Sequence, residues 1–270
     1  MKKEEITSNP PACYFDMYKD KDLRPPFMGE WADRETVKRS GYRYDSSEGA
    51  LDPELMRQAQ VGYYACLTHL DHQIGRIFHA LEQEGILNDT IILFCSDHGE
   101  LLGDHHTFRK TRPYQGSVHV PLFFRIPGEK GGVRYGTATC LEDIMPTLID
   151  LAEGEIPKGL DGVSLLPIIR GERETAHELI HGEHSGGSIG NHYLVSSRDK
   201  YIWYDESGRE QYFDLASDPN ELCDRIDDPA CAERIAYLRG ELVRMLKDRP
   251  EGYSDGEKLI PGRPQLAVLF

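Results

Sequence analysis

The run Ser96-Asp97-His98-Gly99-Glu100 sets a carboxylate beside an imidazole, and Gly99 allows a sharp turn there. Adjacent oxygen and nitrogen donors suit a divalent cation. Lys110 follows in the same Gly- and His-rich loop, as a compact positive charge able to face an anion. The bland reading uses the same residues: Asp97 caps a helix, His98 is an ordinary polar residue and Lys110 is a solvated charge. Residue types alone leave both open. His105 and His106 lie between the pair and the lysine, and His181, Glu183 and His184 with Gly186-Gly187 form a later polar group that also suits a surface loop.

The elements around the loop say how it is held. Thr90 to Cys95 is apolar, rich in β-branched residues and too short for a helix, which predicts a buried strand. The Asp97–His98 pair then leaves a strand's carboxyl end, where side chains of α/β proteins converge. Upstream, Asp52 can cap, Pro53 suits a first helical position, and apolar residues recur at helical spacing from Met56 to Leu81, with Gly85 as a stop. Val120–Ile126 reads as a second buried strand, Tyr135–Cys140 as a third, and Leu141–Leu151 as a helix. From about residue 176 the pattern changes. Tyr193–Ser197, Lys200–Tyr204 and Gln211–Asp214 read as short strands separated by turn signals, and Ala230–Leu246 as an amphipathic helix. The expected organisation is α/β over residues 1–175 and a small antiparallel α+β subdomain over 176–270. Residues 1–52 read as an extended segment pinned by its rings, among them Tyr14, Tyr18, Trp31, Tyr42 and Tyr44. The apolar tail Leu266–Phe270 is expected to dock.

Composition narrows the partners. The chain has 270 residues, with 46 acidic against 31 basic side chains and a formal charge of −15. That balance argues against nucleic acid or an anionic membrane as main partner, although one lysine or metal ion can reverse the sign inside a cleft. The longest apolar run, Ile91 to Cys95, is far short of a membrane span, and the first residues carry no apolar signal region. Cytoplasm is therefore the default location. The six cysteines include no CxxC pair and read as reduced thiols, with a Cys223–Cys231 disulfide as the alternative.

An ordered series of motifs resembles the sulfatase family of the alkaline phosphatase superfamily. It runs from the helix with Tyr63, Asp71, Ile74 and Gly75 through Asn88-Asp89-Thr90-Ile91-Ile92 into Ser96-Asp97-His98-Gly99-Glu100. It continues through Gly103-Asp104-His105, Lys110, Val120-Pro121-Leu122 and Asp143-Ile144-Met145-Pro146-Thr147-Leu148. Asp161-Gly162-Val163-Ser164-Leu165, Phe213-Asp214-Leu215 and Asp218-Pro219-Asn220-Glu221 complete it. The resemblance implies an alkaline-phosphatase-like sheet flanked by helices, and hydrolysis of a small-molecule or glycan sulfate ester. It implies that Asp97 and His98 are late cation ligands and that Lys110 contacts the sulfate and the ester oxygen. The implied metal is calcium, with magnesium or manganese as alternatives, a His ligand making manganese more plausible than an all-oxygen site would. His105 and His184 are implied at the substrate pocket.

The departures are as informative. The family's formylglycine arises from Cys or Ser in a Cys/Ser-x-Pro-x-Arg run, and these 270 residues contain no such run. The early aspartate pair of the metal site is also missing. Pro10-Pro11 through Tyr18 resembles the segment after a mid-chain His-Pro-Pro stretch, with Asn9 at the histidine position. The sequence therefore looks like a sulfatase's carboxyl-terminal half, either a fragment or one piece of a split protein. Inactivity alone, weak metal binding, and self-association or pairing with the missing half through uncovered strand edges are the expected consequences. A phosphonate monoester or phosphodiester hydrolase of the same superfamily and a non-catalytic remnant are the rival readings.

Overall fold

The computed structural model describes residues 10–32 and 48–266. Asn9, Tyr42, Tyr44 and residues 267–270, on which some expectations rested, lie outside the described residues. The backbone forms two compact units. One runs to Lys110 and includes His119–Glu129; the other comprises Thr111–Val118 and everything from Lys130.

The first unit contains α1 (Ala12–Phe15) and the long helix α2 (Pro53–Gln83). Asp52 caps α2 as expected, its carboxylate accepting from the Glu54 and Leu55 amides at 3.0 Å each. The other end closes at Gly85, whose φ of +70° lets Gly85 N donate to Glu82 O and Ile86 N to Leu81 O, both at 3.0 Å. The amino-terminal segment lies along this helix. Tyr14 stacks on His69 at 5.0 Å, Tyr18 Oη bonds Thr68 Oγ1 at 2.6 Å, and Arg57 donates to the Lys19 and Lys21 carbonyls. Only Gln60, Val61, Gly62 and Ala65 of α2 are buried. Its apolar stripe stays exposed at Leu67, Leu70, Ile77 and Phe78.

Strands β1 (Ile92–Cys95) and β2 (Leu122–Arg125) pair antiparallel, with Phe94 opposite Phe123. The expectation of buried strands is corrected: β1 is half-buried and Phe123 is 54% exposed. A strand buries both faces only when layers cover both, and the two-stranded ladder holds one partner strand for each.

The second unit contains α3 (Gln115–Val118), α4 (Ile144–Leu151), α5 (Leu166–Ile169), an antiparallel sheet and α6 (Ala232–Leu246). The sheet runs in sequence order through β3 (Ile180–His184), β4 (Asn191–Val195), β5 (Lys200–Tyr204) and β6 (Glu210–Phe213). Leu194, Tyr201, Trp203 and Tyr212 of the sheet form one buried core with Ile235, Leu238, Leu242 and Leu246 of α6. The expected strand at 135–140 does not form; the segment makes one isolated bridge, Ala138 to His177. Thr137 Oγ1 instead accepts the Ala176 amide at 2.8 Å, a side-chain bond that takes the place of a ladder bond. All six cysteines are free thiols, so the Cys223–Cys231 bridge is absent. No helix among the described residues is long and apolar enough to cross a membrane.

Candidate functional site

β1 ends at Cys95 and delivers the Asp97–His98 pair to the loop behind it. Local bonds fix the pair. Ser96 Oγ donates to His98 O at 2.6 Å, and the His98 amide donates to Asp97 Oδ1 at 3.0 Å. His98 Nδ1 lies 2.8 Å from Gly99 O, an acceptor, so this nitrogen carries the proton and Nε2 holds the lone pair. Lys110 Nζ donates to that Nε2 at 2.7 Å. Asp97 Oδ2 stands 3.6 Å from the same nitrogen. The Asp97 side chain is 86% exposed and the His98 ring 39%.

The loop that brings Lys110 back is braced from within. Glu100 Oε1 accepts from the Leu102 amide at 2.9 Å and the Arg109 amide at 2.6 Å, and Leu101 N donates to Arg109 O at 3.0 Å. Leu102, His105, His106 and Arg109 all hold positive φ. Non-glycine residues rarely adopt that conformation without surrounding bonds that enforce it. Gly103 sits among them at φ +93°, where a Cβ would fall 2.6 Å from the Met56 sulfur. Glu100 was quoted in the motif but not expected to act as a brace, because nothing in its type or spacing signals two amide acceptors.

His105, expected at the substrate, is 4% exposed. Its Nδ1 accepts from Gly29 N at 2.9 Å, its own amide donates to Phe27 O at 2.8 Å, and Trp31 packs on the ring at 4.7 Å. Asp104 Oδ1 accepts the Phe27 amide at 2.7 Å. His105 thus clamps the 27–31 segment onto the loop. His184 belongs to the second unit, at the end of β3, where burial and then the Arg112 charge push its pKa down. Tyr63, beside the loop, has a raised pKa through burial and the Glu100 charge.

A divalent cation fits this donor set. Asp97 Oδ2 and His98 Nε2 lie 3.6 Å apart, and the Nε2 lone pair, which accepts from Lys110 in this structure, would pass to the ion when Lys110 swings away. The ammonium of Lys110, 2.7 Å from that nitrogen, adds a positive charge beside it. The arrangement can hold a cation and an anionic group together.

Comparison with known proteins places these residues in context. The Sulfatase family matches residues 15–155, and the N-sulphoglucosamine sulphohydrolase C-terminal family matches 103–248. An arylsulfatase of Clostridium perfringens is 46% identical over 260 residues, which cover 95% of this chain and 54% of that protein. A phosphonate monoester hydrolase from Silicibacter pomeroyi superposes with TM-score 0.72 at 28% identity, over 87% of this chain and 52% of the other. A protein solved in complex with its substrate D-glucosamine-2-N,6-O-disulfate superposes with TM-score 0.62 at 25% identity, over 71% and 41%. The chain spans about half the length of the relatives it matches.

Proposed function

The chain belongs to the sulfatase family, and from that premise we propose that it carries the cation-binding and charge-stabilising part of a sulfuric ester hydrolase site. The observation that carries this reading is the meeting of Lys110 Nζ, His98 Nε2 and Asp97 Oδ2 on one braced loop. Asp97 and His98 would hold the cation, calcium first, with magnesium or manganese as alternatives. When bound, that ion draws negative charge from the sulfuryl oxygens as a Lewis acid.

The chain's own groups do the rest of the local work. Lys110 donates N–H bonds and offsets the charge that develops on the ester oxygen as the S–O bond breaks. Glu100 keeps Lys110 in reach by holding both sides of the loop. His105 positions that loop from its buried face. A covalent route also needs a nucleophile. The formylglycine motif is absent from these 270 residues, so we assign the nucleophile to a segment outside them. The substrate class is a small-molecule or glycan sulfate ester, in line with the glucosamine disulfate bound by one structural relative. The partner is that outside segment, or a second copy, seated on the exposed apolar face of α2.

A specific observation supports a second reading. The phosphonate monoester hydrolase superposes over 87% of this chain at 28% identity, and the glucosamine-disulfate protein over 71% at 25%. The two readings separate in one experiment. The chain is joined to the portion of the Clostridium perfringens relative that it does not cover, and the product is assayed on an aryl sulfate and a phosphonate monoester. A preference for the sulfate supports the main reading, a preference for the phosphonate the second. Metal-dependent turnover by the unjoined chain, abolished by Lys110→Ala, would overturn the assignment of the nucleophile.

A further inference from the structure

The four-stranded sheet carries another convergence of ligand-type side chains. His181 and Glu183 alternate on β3 and so leave the same face, and β4 sets His192 directly opposite Glu183. His181 Nε2 lies 3.2 Å from His192 Nδ1, and His192 Nδ1 lies 3.3 Å from Glu183 Oε2. The ligand atoms of the three residues all fall within 4.8 Å of one another. The two imidazoles lie end to end in near-parallel planes, 5° apart with 5.4 Å between centroids, so the two nitrogens face each other across a shared hydrogen bond. Bonds of about 2.0–2.1 Å to a tetrahedral ion put neighbouring ligand atoms roughly 3.3–3.4 Å apart. The His–His and His–Glu separations match that spacing, and a turn of the two rings away from their shared hydrogen bond would aim both nitrogens at one ion.

Charge and protons point the same way. Two nitrogens facing each other share at most one hydrogen bond, and here a carboxylate oxygen competes for the same proton. Glu183 also pairs with Arg249 at 3.0 Å, but Arg249 is shared with Glu251 at 2.9 Å. Two carboxylates and one guanidinium leave a net negative charge for a cation. His192 is held by Tyr253, edge-on at 5.0 Å, and by Trp203 at 5.8 Å, while the Glu183 side chain is 30% exposed and opens the group to solvent. We propose that His181, Glu183 and His192 bind one divalent transition ion of the zinc class, with water completing its shell. Two imidazoles and one carboxylate select such an ion over calcium, which prefers oxygen alone.

The test titrates the purified chain with cobalt(II) in excess calcium, so that calcium competes at the oxygen-bearing pair Asp97–His98. One cobalt per chain is expected, with the visible absorption of a four- or five-coordinate ion. His181→Gln and Glu183→Gln should each weaken binding by about 100-fold or more, and His98→Gln should leave it unchanged. Both substituted residues are partly exposed, and circular dichroism verifies that each variant is folded. No visible band in the wild-type chain, a band that survives His181→Gln and Glu183→Gln, or a band lost in His98→Gln would each overturn the proposal.

Discussion

Replacing Lys200 by methionine should destabilise the second unit severely. The Lys200 side chain is fully buried at the start of β5. Its ammonium donates to Pro113 O at 2.7 Å, Gln115 Oε1 at 2.8 Å and Glu221 Oε1 at 2.7 Å. Glu221 is 1% exposed and also accepts the Gln115 amide through Oε2 at 2.7 Å. Burial pushes the Lys200 pKa down, and Glu221 opposes that push without cancelling it. Methionine fills nearly the same volume, so the loss is chiefly electrostatic: a carboxylate stays buried without its cation. Breaking such a pair from one side costs about 3–5 kcal/mol. With an m-value of about 2 kcal/mol/M, the urea midpoint drops by roughly 1.5–2.5 M. Tyrosine fluorescence and circular dichroism at several urea concentrations provide the assay. Lys200→Met/Glu221→Leu should recover part of the loss, because removing both charges leaves neither one stranded. A single variant within 1 kcal/mol of wild type, or a double variant showing the full sum of two separate losses, would refute the reasoning.

Burial raises the Asp199 pKa, but bonds from Arg234, Ser196 and Tyr212 outweigh it and hold the carboxyl below its ordinary value. A depressed carboxyl pKa contributes stability above the unfolded value near 3.9 and loses it as pH falls through the folded value. The urea midpoint should therefore fall below about pH 4, with a shallower fall in Asp199→Asn; equal slopes would contradict the assignment. The exposed stripe of α2, with Leu70 at 51% and Ile77 at 60%, predicts association of the isolated chain at micromolar concentration. Sedimentation should shift toward monomer in Leu70→Glu/Ile77→Glu, and a wild-type chain already monomeric would contradict this.

Local signals were readable where they act locally. Asp52, Pro53 and Gly85 bound α2 because a cap, a fixed φ and a positive φ need no distant partner. The apolar period marked α6, and Lys200–Tyr204 matched β5 residue for residue. β3 was missed because His181, Gly182, Glu183 and His184 carry no strand pattern. That strand exists through its ladder to β4, and Gly182 is needed there because a Cβ would meet the Tyr193 ring at 2.1 Å. At the site, residue types and order flagged Asp97, His98 and Lys110. Their contact was not legible, because it depends on Glu100 and on several residues at positive φ. Neither has a sequence period. The burial of His105 was equally hidden, since it is set by Gly29 and Trp31, more than seventy positions away in the chain.

The central claim is that Lys110, beside Asp97 and His98, stabilises charge on the leaving oxygen of a sulfate ester. The most direct measurement is kcat for a series of aryl sulfates of rising leaving-group pKa, using the chain joined to the uncovered portion of the Clostridium perfringens relative. Lys110→Ala should lower kcat by about 10²–10³-fold for poor leaving groups and much less for good ones, with Lys110→Arg intermediate. A Lys110→Ala enzyme with unchanged kcat across the series, or with a loss independent of leaving group, would contradict the account.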